Sequence, residues 1–225
     1  KTDMNILVLI QRRSLIFYYS NRNQPLPCAI PETVMNDLEI INEQELHTIV
    51  GKYIPPVDPK APTQVMVLLN DETCFSSWLE AGKEDEVKKT MIEAAPFTHT
   101  EGITIPLDPH TLFVTTNKDL YTAIGRALES RHCVIVGVYP WVIANYSKAI
   151  KEGEPFSSAV VERLFEAQAR IKECSFPYLT MQAPSGSVVE DKTETKKKPF
   201  STGILIFLII AGVYAIGMAF IAIRK

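Results

Sequence analysis

NILVLIQRRSLIFYYS, residues 5–20, carries the reading on which the fold turns. Two apolar runs flank the polar triplet Gln11-Arg12-Arg13, the pattern of two antiparallel strands joined by a short turn. A turn that grips phosphate brings its backbone N–H groups close to the ligand, which calls for Gly and small hydroxyl residues. This turn has no Gly, and no Asp stands beside it to hold a metal ion. The hairpin is therefore read as sheet structure, with Arg12 and Arg13 facing solvent rather than a ligand.

Outward from the hairpin, strands and helices alternate. PLPCAIP, residues 25–31, predicts a third strand limited by its prolines. Residues 42–54 predict a helix, with Asn42 and Glu45 spaced as a capping box and Leu46, Ile49, Val50 and Tyr53 on one face. TQVMVLLN (63–70) and CVIVGVYPW (133–141) are near-continuous apolar runs, as expected of strands buried on both faces. Between them come a short strand at 74–79, a helix at 83–95 turning Val87, Met91 and Ala94 inward, and two strands at 103–107 and 111–115. A helix at 118–131 follows, with Thr116 and Asp119 as its capping box and Leu120, Ile124, Ala127 and Leu128 on one stripe. A last helix, 155–174, buries Val161, Leu164, Phe165 and Ile171. No internal repeat interrupts this order.

With 225 residues, 46% of them hydrophobic, and a net charge of −3, the chain is long enough for a sizeable core and lacks the basic surplus of a nucleic-acid binder. Cys28, Cys74, Cys133 and Cys174 stand far apart with no C-x-x-C pair, so they read as reduced thiols rather than a disulfide framework or zinc site. His47, His99, His110 and His132 form no H-x-x-x-H or H-E-x-x-H pattern. Spacing alone leaves their convergence in space open. Glu84-Asp85-Glu86 opens a helix, where the macrodipole accounts for negative charge without a metal. No cofactor is expected.

Residues 203–223, GILIFLIIAGVYAIGMAFIAI, carry no charge over 21 positions. At about 1.5 Å per residue they span about 31 Å, the thickness of a hydrocarbon core, and predict one transmembrane helix. Lys196-Lys197-Lys198 precede the span and Arg224-Lys225 follow it, a weak orientation signal. The missing signal peptide and unpaired cysteines place the N-terminal domain, residues 4–179, in the cytoplasm. Residues 180–200, rich in Pro, Ser, Thr and Lys, predict a flexible tether. Its lysines either contact anionic headgroups, at about 1 kcal/mol per charge, or form a solvated flank. Ala211, Ala215 and Ala219, with Ala222, recur at helical spacing, and Tyr214 stands near the centre of the span. That face suits close helix approach and a homodimer through the membrane.

The element order, together with EDEVKKTMIEAAPF (84–97), ITIPLDPHTLFVTTN (103–117) and TNKDLYTAIGRALESRHCVIVGVYPW (116–141), resembles the first lobe of an actin-like protein. It is similar to the actin-like cytoplasmic protein of the type IV pilus inner-membrane complex and to the L protein of type II secretion. The resemblance implies an α/β, ribonuclease-H-like lobe carrying a small strand–helix–strand–strand insertion at 72–116. It departs from the actin-like ATPases where their phosphate loops would stand, since the hairpin lacks the Asp and Gly and no second lobe precedes the tether. What it implies is a non-enzymatic platform at the inner (plasma) membrane, single-pass, that recruits other inner-membrane assembly proteins. Phe75 and Trp78 in the insertion, and Trp141 after Pro140, are the candidate partner anchors, with core packing as the alternative for each. The competing reading is an enzyme whose pocket opens at Asp71-Glu72, at the carboxyl end of a buried strand. A loop cap would explain the same pair. A third reading is a tail-anchored adaptor outside any secretion machine.

Overall fold

A computed structural model describes residues 4–55, 61–150 and 154–179. Every described residue belongs to one compact unit, Lys1–Gln182. The expected tether (180–200) and membrane span (203–223), with Ala211, Tyr214, Ala215, Ala219 and Ala222, lie outside the described residues. Among the described residues no helix is long and apolar enough to cross a membrane.

Strands β1 (Asn5–Ile10) and β2 (Ser14–Tyr19) form the expected hairpin, with Val8 opposite Phe17. β3 (Leu26–Ala29) pairs with β2. A small hairpin follows, β4 (Met35–Asn36) with β5 (Glu39–Ile40), and then helix α1 (Glu43–Tyr53). β6 (Thr63–Leu69) returns parallel to β1. A 3-10 turn at Asp71–Thr73 leads into β7 (Cys74–Trp78), α2 (Glu84–Ala94), β8 (Thr100–Leu107) and β9 (His110–Asn117). Helix α3 (Lys118–Glu129), β10 (Cys133–Pro140), α4 (Val142–Tyr146) and α5 (Ser158–Ile171) complete the described chain.

The main sheet runs β10-β6-β1-β2-β3, with β10 and β6 parallel to β1 and β2 antiparallel to it. Three antiparallel strands extended by two parallel ones on the far side of β1 is the ribonuclease-H-like order. Its centre is apolar because both faces are covered. Phe17 stacks on Tyr53 of α1, whereas the next residue, Tyr18, meets Phe156 just before α5. Successive strand residues point to opposite faces, so α1 and α5 lie on opposite sides of the sheet. Ile6, Leu7, Val8, Val65, Met66, Val67 and Leu68 are accordingly fully buried. At roughly 1.5–3 kcal/mol for each large apolar side chain, these two strands anchor the core.

Several local expectations are corrected. Asn42 caps α1 as predicted, accepting from the Glu45 N–H at 3.0 Å. The cap of α3, however, is Asn117, which accepts from the Asp119 N–H, because the Thr116 hydroxyl donates instead to the Thr73 carbonyl. Helix α2 has no fully buried residue: Val87 and Met91 are half-buried and Ala94 is exposed. Phe165 is half-buried, while Val160 and Ala167 join the buried face of α5. Cys28, Cys133 and Cys174 are buried and Cys74 half-buried, all as free thiols.

Candidate functional site: the free edge of the inserted sheet

The insertion forms its own three-stranded sheet, β7-β9-β8, with β7 on an edge. The backbone register of that edge follows from one bond. The Leu79 N–H donates to the Thr111 carbonyl at 2.9 Å, which makes Leu79 and Thr111 a hydrogen-bonded antiparallel pair. Counting back by twos, Ser77 (opposite Phe113) and Phe75 (opposite Thr115) also turn their backbone groups toward β9. Cys74, Ser76 and Trp78 therefore turn theirs outward, to the open edge.

Side chains sort in the same way. Cys74, Ser76 and Trp78 share a face with Leu112 and Val114 of β9, and together with Asp71, Pro140 and Val142 they line a crevice of about 280 Å³. The crevice sits at the carboxyl ends of the parallel strands β6 and β10, where open α/β sheets present ligand sites. Phe75 points to the opposite face, where its ring lies 5.8 Å from that of Phe97. Of the three predicted anchors two are exposed, Phe75 by 46% and Trp78 by 55%. The Trp78 ring stands edge-on to His110 at 5.7 Å. Trp141 lies elsewhere: it is half-buried at the start of α4, with its ring 5.5 Å from Phe156.

The four edges of the two larger sheets differ in how they are protected. β3 carries Pro27 and β8 carries Pro106, residues that deny a donor to an incoming strand. The edge of β10 is bridged by Phe176, whose N–H donates to the Val138 carbonyl at 2.8 Å. β7, CFSSW, has neither proline nor charge and presents two exposed aromatics. Acidic residues bracket it, Asp71 and Glu72 at one end and Glu80, paired with Lys83 at 3.1 Å, at the other.

Chemistry in the crevice is restrained. Burial pushes the Cys74 thiol up to about 12, so it stays protonated at neutral pH and is a poor nucleophile. Asp71 opens the 3-10 turn and lines the crevice, but no histidine does. His99 pairs with Asp119 at 2.8 Å at the start of α3, and His47 lies on α1. A second cavity, about 470 Å³, lies at the amino ends of α1 and α3, with Glu39, Glu43, Asp119 and Arg126 in its lining. Glu43 pairs with Arg126 at 3.3 Å and Asp119 with His99 at 2.8 Å, so two of the three carboxylates on that rim are already engaged.

The opening hairpin is occupied by its own contacts. Arg12 pairs with Asp37 at 2.8 Å and Arg13 with Glu32 at 2.9 Å. The Gln11 N–H donates to the Ser14 carbonyl at 2.9 Å, and the Ser14 hydroxyl to the Gln11 side chain at 2.7 Å.

No family model matches this chain, and no curated protein matches it. Among solved structures it is similar to the PilM-PilN type IV pilus biogenesis complex, at 10% identity over 64% of this chain and 50% of that one, with a TM-score of 0.43. It is also similar to the cytoplasmic domain of EpsL, an inner-membrane component of the type II secretion system of Vibrio cholerae, at 12% identity over 63% of this chain and 58% of that one, TM-score 0.38. A Bacteroides thetaiotaomicron protein with an actin-like ATPase fold shares 9% identity over 64% of this chain and 55% of its own, TM-score 0.39. The chain spans between half and three-fifths of the length of these structures.

Proposed function

We propose that the protein is a non-enzymatic platform, anchored to the inner membrane by residues 203–223, that recruits components of a pilus-type or secretion-type assembly. The observation that carries the docking part is the edge of β7, whose outward N–H and C=O groups at Cys74, Ser76 and Trp78 have no ladder partner among the described residues and lie beside an apolar crevice. An extended partner segment adds to this edge as a fourth strand, with its side chains received by Trp78, Leu112, Val114, Pro140 and Val142. The acidic pair Asp71-Glu72 at one end favours a segment with an apolar centre and a basic residue at that end. Anchoring near the bilayer raises the effective concentration of the domain for membrane-bound partners.

Co-purification of the detergent-solubilised full chain with membrane proteins of such assemblies tests this reading. Capture should fall at least tenfold for Trp78→Asp and stay unchanged for Lys89→Ala on the exposed side of α2. Equal capture by the Trp78 variant removes the docking site. Calorimetric titration with ATP tests the rival enzyme at the Asp71 crevice, and micromolar binding with turnover would displace the platform reading.

A further inference from the structure

Among the described residues, four of the five buried polar side chains, Thr73, Thr115, Thr116 and Asn117, lie where the insertion joins the main sheet. Two of them, Thr73 and Thr116, are linked bond by bond, and Asn117 ties the same root to the main body by a separate bond. The Asn70 N–H donates to the Ile10 carbonyl at the end of β1 (2.9 Å), and the Thr73 hydroxyl donates to the Asn70 carbonyl (2.7 Å). The Thr116 hydroxyl then donates to the Thr73 carbonyl at 2.8 Å, tying the exit of the insertion to its entry across 43 positions of chain. The Asn117 side-chain amide donates to the Leu38 carbonyl at 2.9 Å while its oxygen caps α3. Leu38 belongs to the β4–β5 turn, and that turn is held to the first hairpin by Arg12 and Asp37.

The rest of the insertion is held by apolar contacts. Helix α2 buries no residue fully, and the sheet meets the main body chiefly through Ile105, Leu112 and Val114. Polar bonds in a dry site have fixed partners and lengths, whereas apolar contacts tolerate sliding. We infer that the insertion is a separately opening unit, and that Thr73, Thr116 and Asn117 form a polar latch that sets its closed position and hence the width of the crevice. The latch rests on the docking reading and deepens it by naming what sets the width of the crevice beside that edge. It is nevertheless a property of the free chain.

Thr116→Val keeps the shape of the side chain, removes one donor and leaves the Thr73 carbonyl unpaired. Amide exchange on the full chain, read by mass spectrometry without any partner, tests the latch. The expected result is exchange at least fivefold faster across residues 74–116, unchanged exchange in β1 and β6, and recovery in Thr116→Ser. Equal acceleration in β1 and β6, no acceleration anywhere, or no rescue by Ser would overturn the inference. The outcome is independent of partner capture, so failure of the latch and failure of the docking reading are told apart.

Discussion

The register of β7 makes neighbouring serines unequal. Ser77 turns its N–H inward to β9, opposite Phe113, whereas Ser76 turns its N–H out to the open edge. In Ser77→Pro the ladder loses a hydrogen bond worth about 0.5–1.5 kcal/mol, and the Phe113 carbonyl is left unpaired in a nearly buried residue, a further cost of about 1–3 kcal/mol. The sum is about 1.5–4.5 kcal/mol. For a chain of this size 1 kcal/mol moves Tm by about 2–4 °C, so Ser77→Pro should melt about 3–18 °C lower. Ser76→Pro removes a donor that no ladder uses, and proline is tolerated on an outward edge. Its Tm should stay within about 3 °C of the parent while partner capture is lost. Differential scanning calorimetry of both variants, with the same co-purification, reads each arm. If Ser76→Pro melts as low as Ser77→Pro, or the order reverses, the assigned register is wrong and the strand-addition argument goes with it.

Three further outcomes follow from the geometry. Burial raises Tyr19 and Tyr139 to about 12 from 10.0, and Cys133 to about 11 from 9.0. Above the unfolded values the unfolded chain sheds these protons first, so stability should be constant to about pH 9 and then fall as pH approaches 12; a Tm flat from pH 8 to 11 would contradict this. Arg12→Ala removes an exposed ion pair and should cost less than about 1 kcal/mol in urea denaturation, since such pairs contribute little. Gly125 lies under the Tyr178 ring, and a Cβ there would collide with the ring and its hydroxyl. Gly125→Ala should therefore lift Tyr178 off α3 and speed chymotryptic cleavage after it, and unchanged cleavage would show that the ring can slide aside in place.

The parts of the fold that were legible in the sequence are those fixed by local pattern. Unbroken apolar runs announced β6 and β10, and the Asn42–Glu45 spacing announced the start of α1. What stayed hidden depended on distant partners. Thr116 has the sequence signature of a cap, but the carbonyl of Thr73 claims its hydroxyl, and the cap falls to Asn117. The β4–β5 hairpin turns through Asp37 and Leu38, both at positive φ, and a bulky leucine gives no turn signal. Helix α4 has five residues and follows Pro140, which reads as a stop. In the candidate site, Phe75 and Trp78 are exposed and Trp141 is half-buried. That β7 is an edge could not be read from its own residues, because it depends on β9 pairing with β8 on its other side.

The opening hairpin acquires a role from the same long-range contacts. A turn that grips phosphate must keep its backbone donors free, and here the Gln11 N–H is committed to Ser14 while both arginines are held by carboxylates. The end of β1 instead supplies the Ile10 carbonyl from which the hydrogen-bonded chain to Thr116 starts, and Arg12 braces the turn that Asn117 grips. Two routes thus run from the first hairpin to the root of the insertion. If they matter together, Arg12→Ala, nearly silent in global stability, should still quicken amide exchange at Asn117 and Lys118. Exchange there unchanged from the parent would reduce the hairpin to a sheet element alone and leave the latch to Thr73 and Thr116.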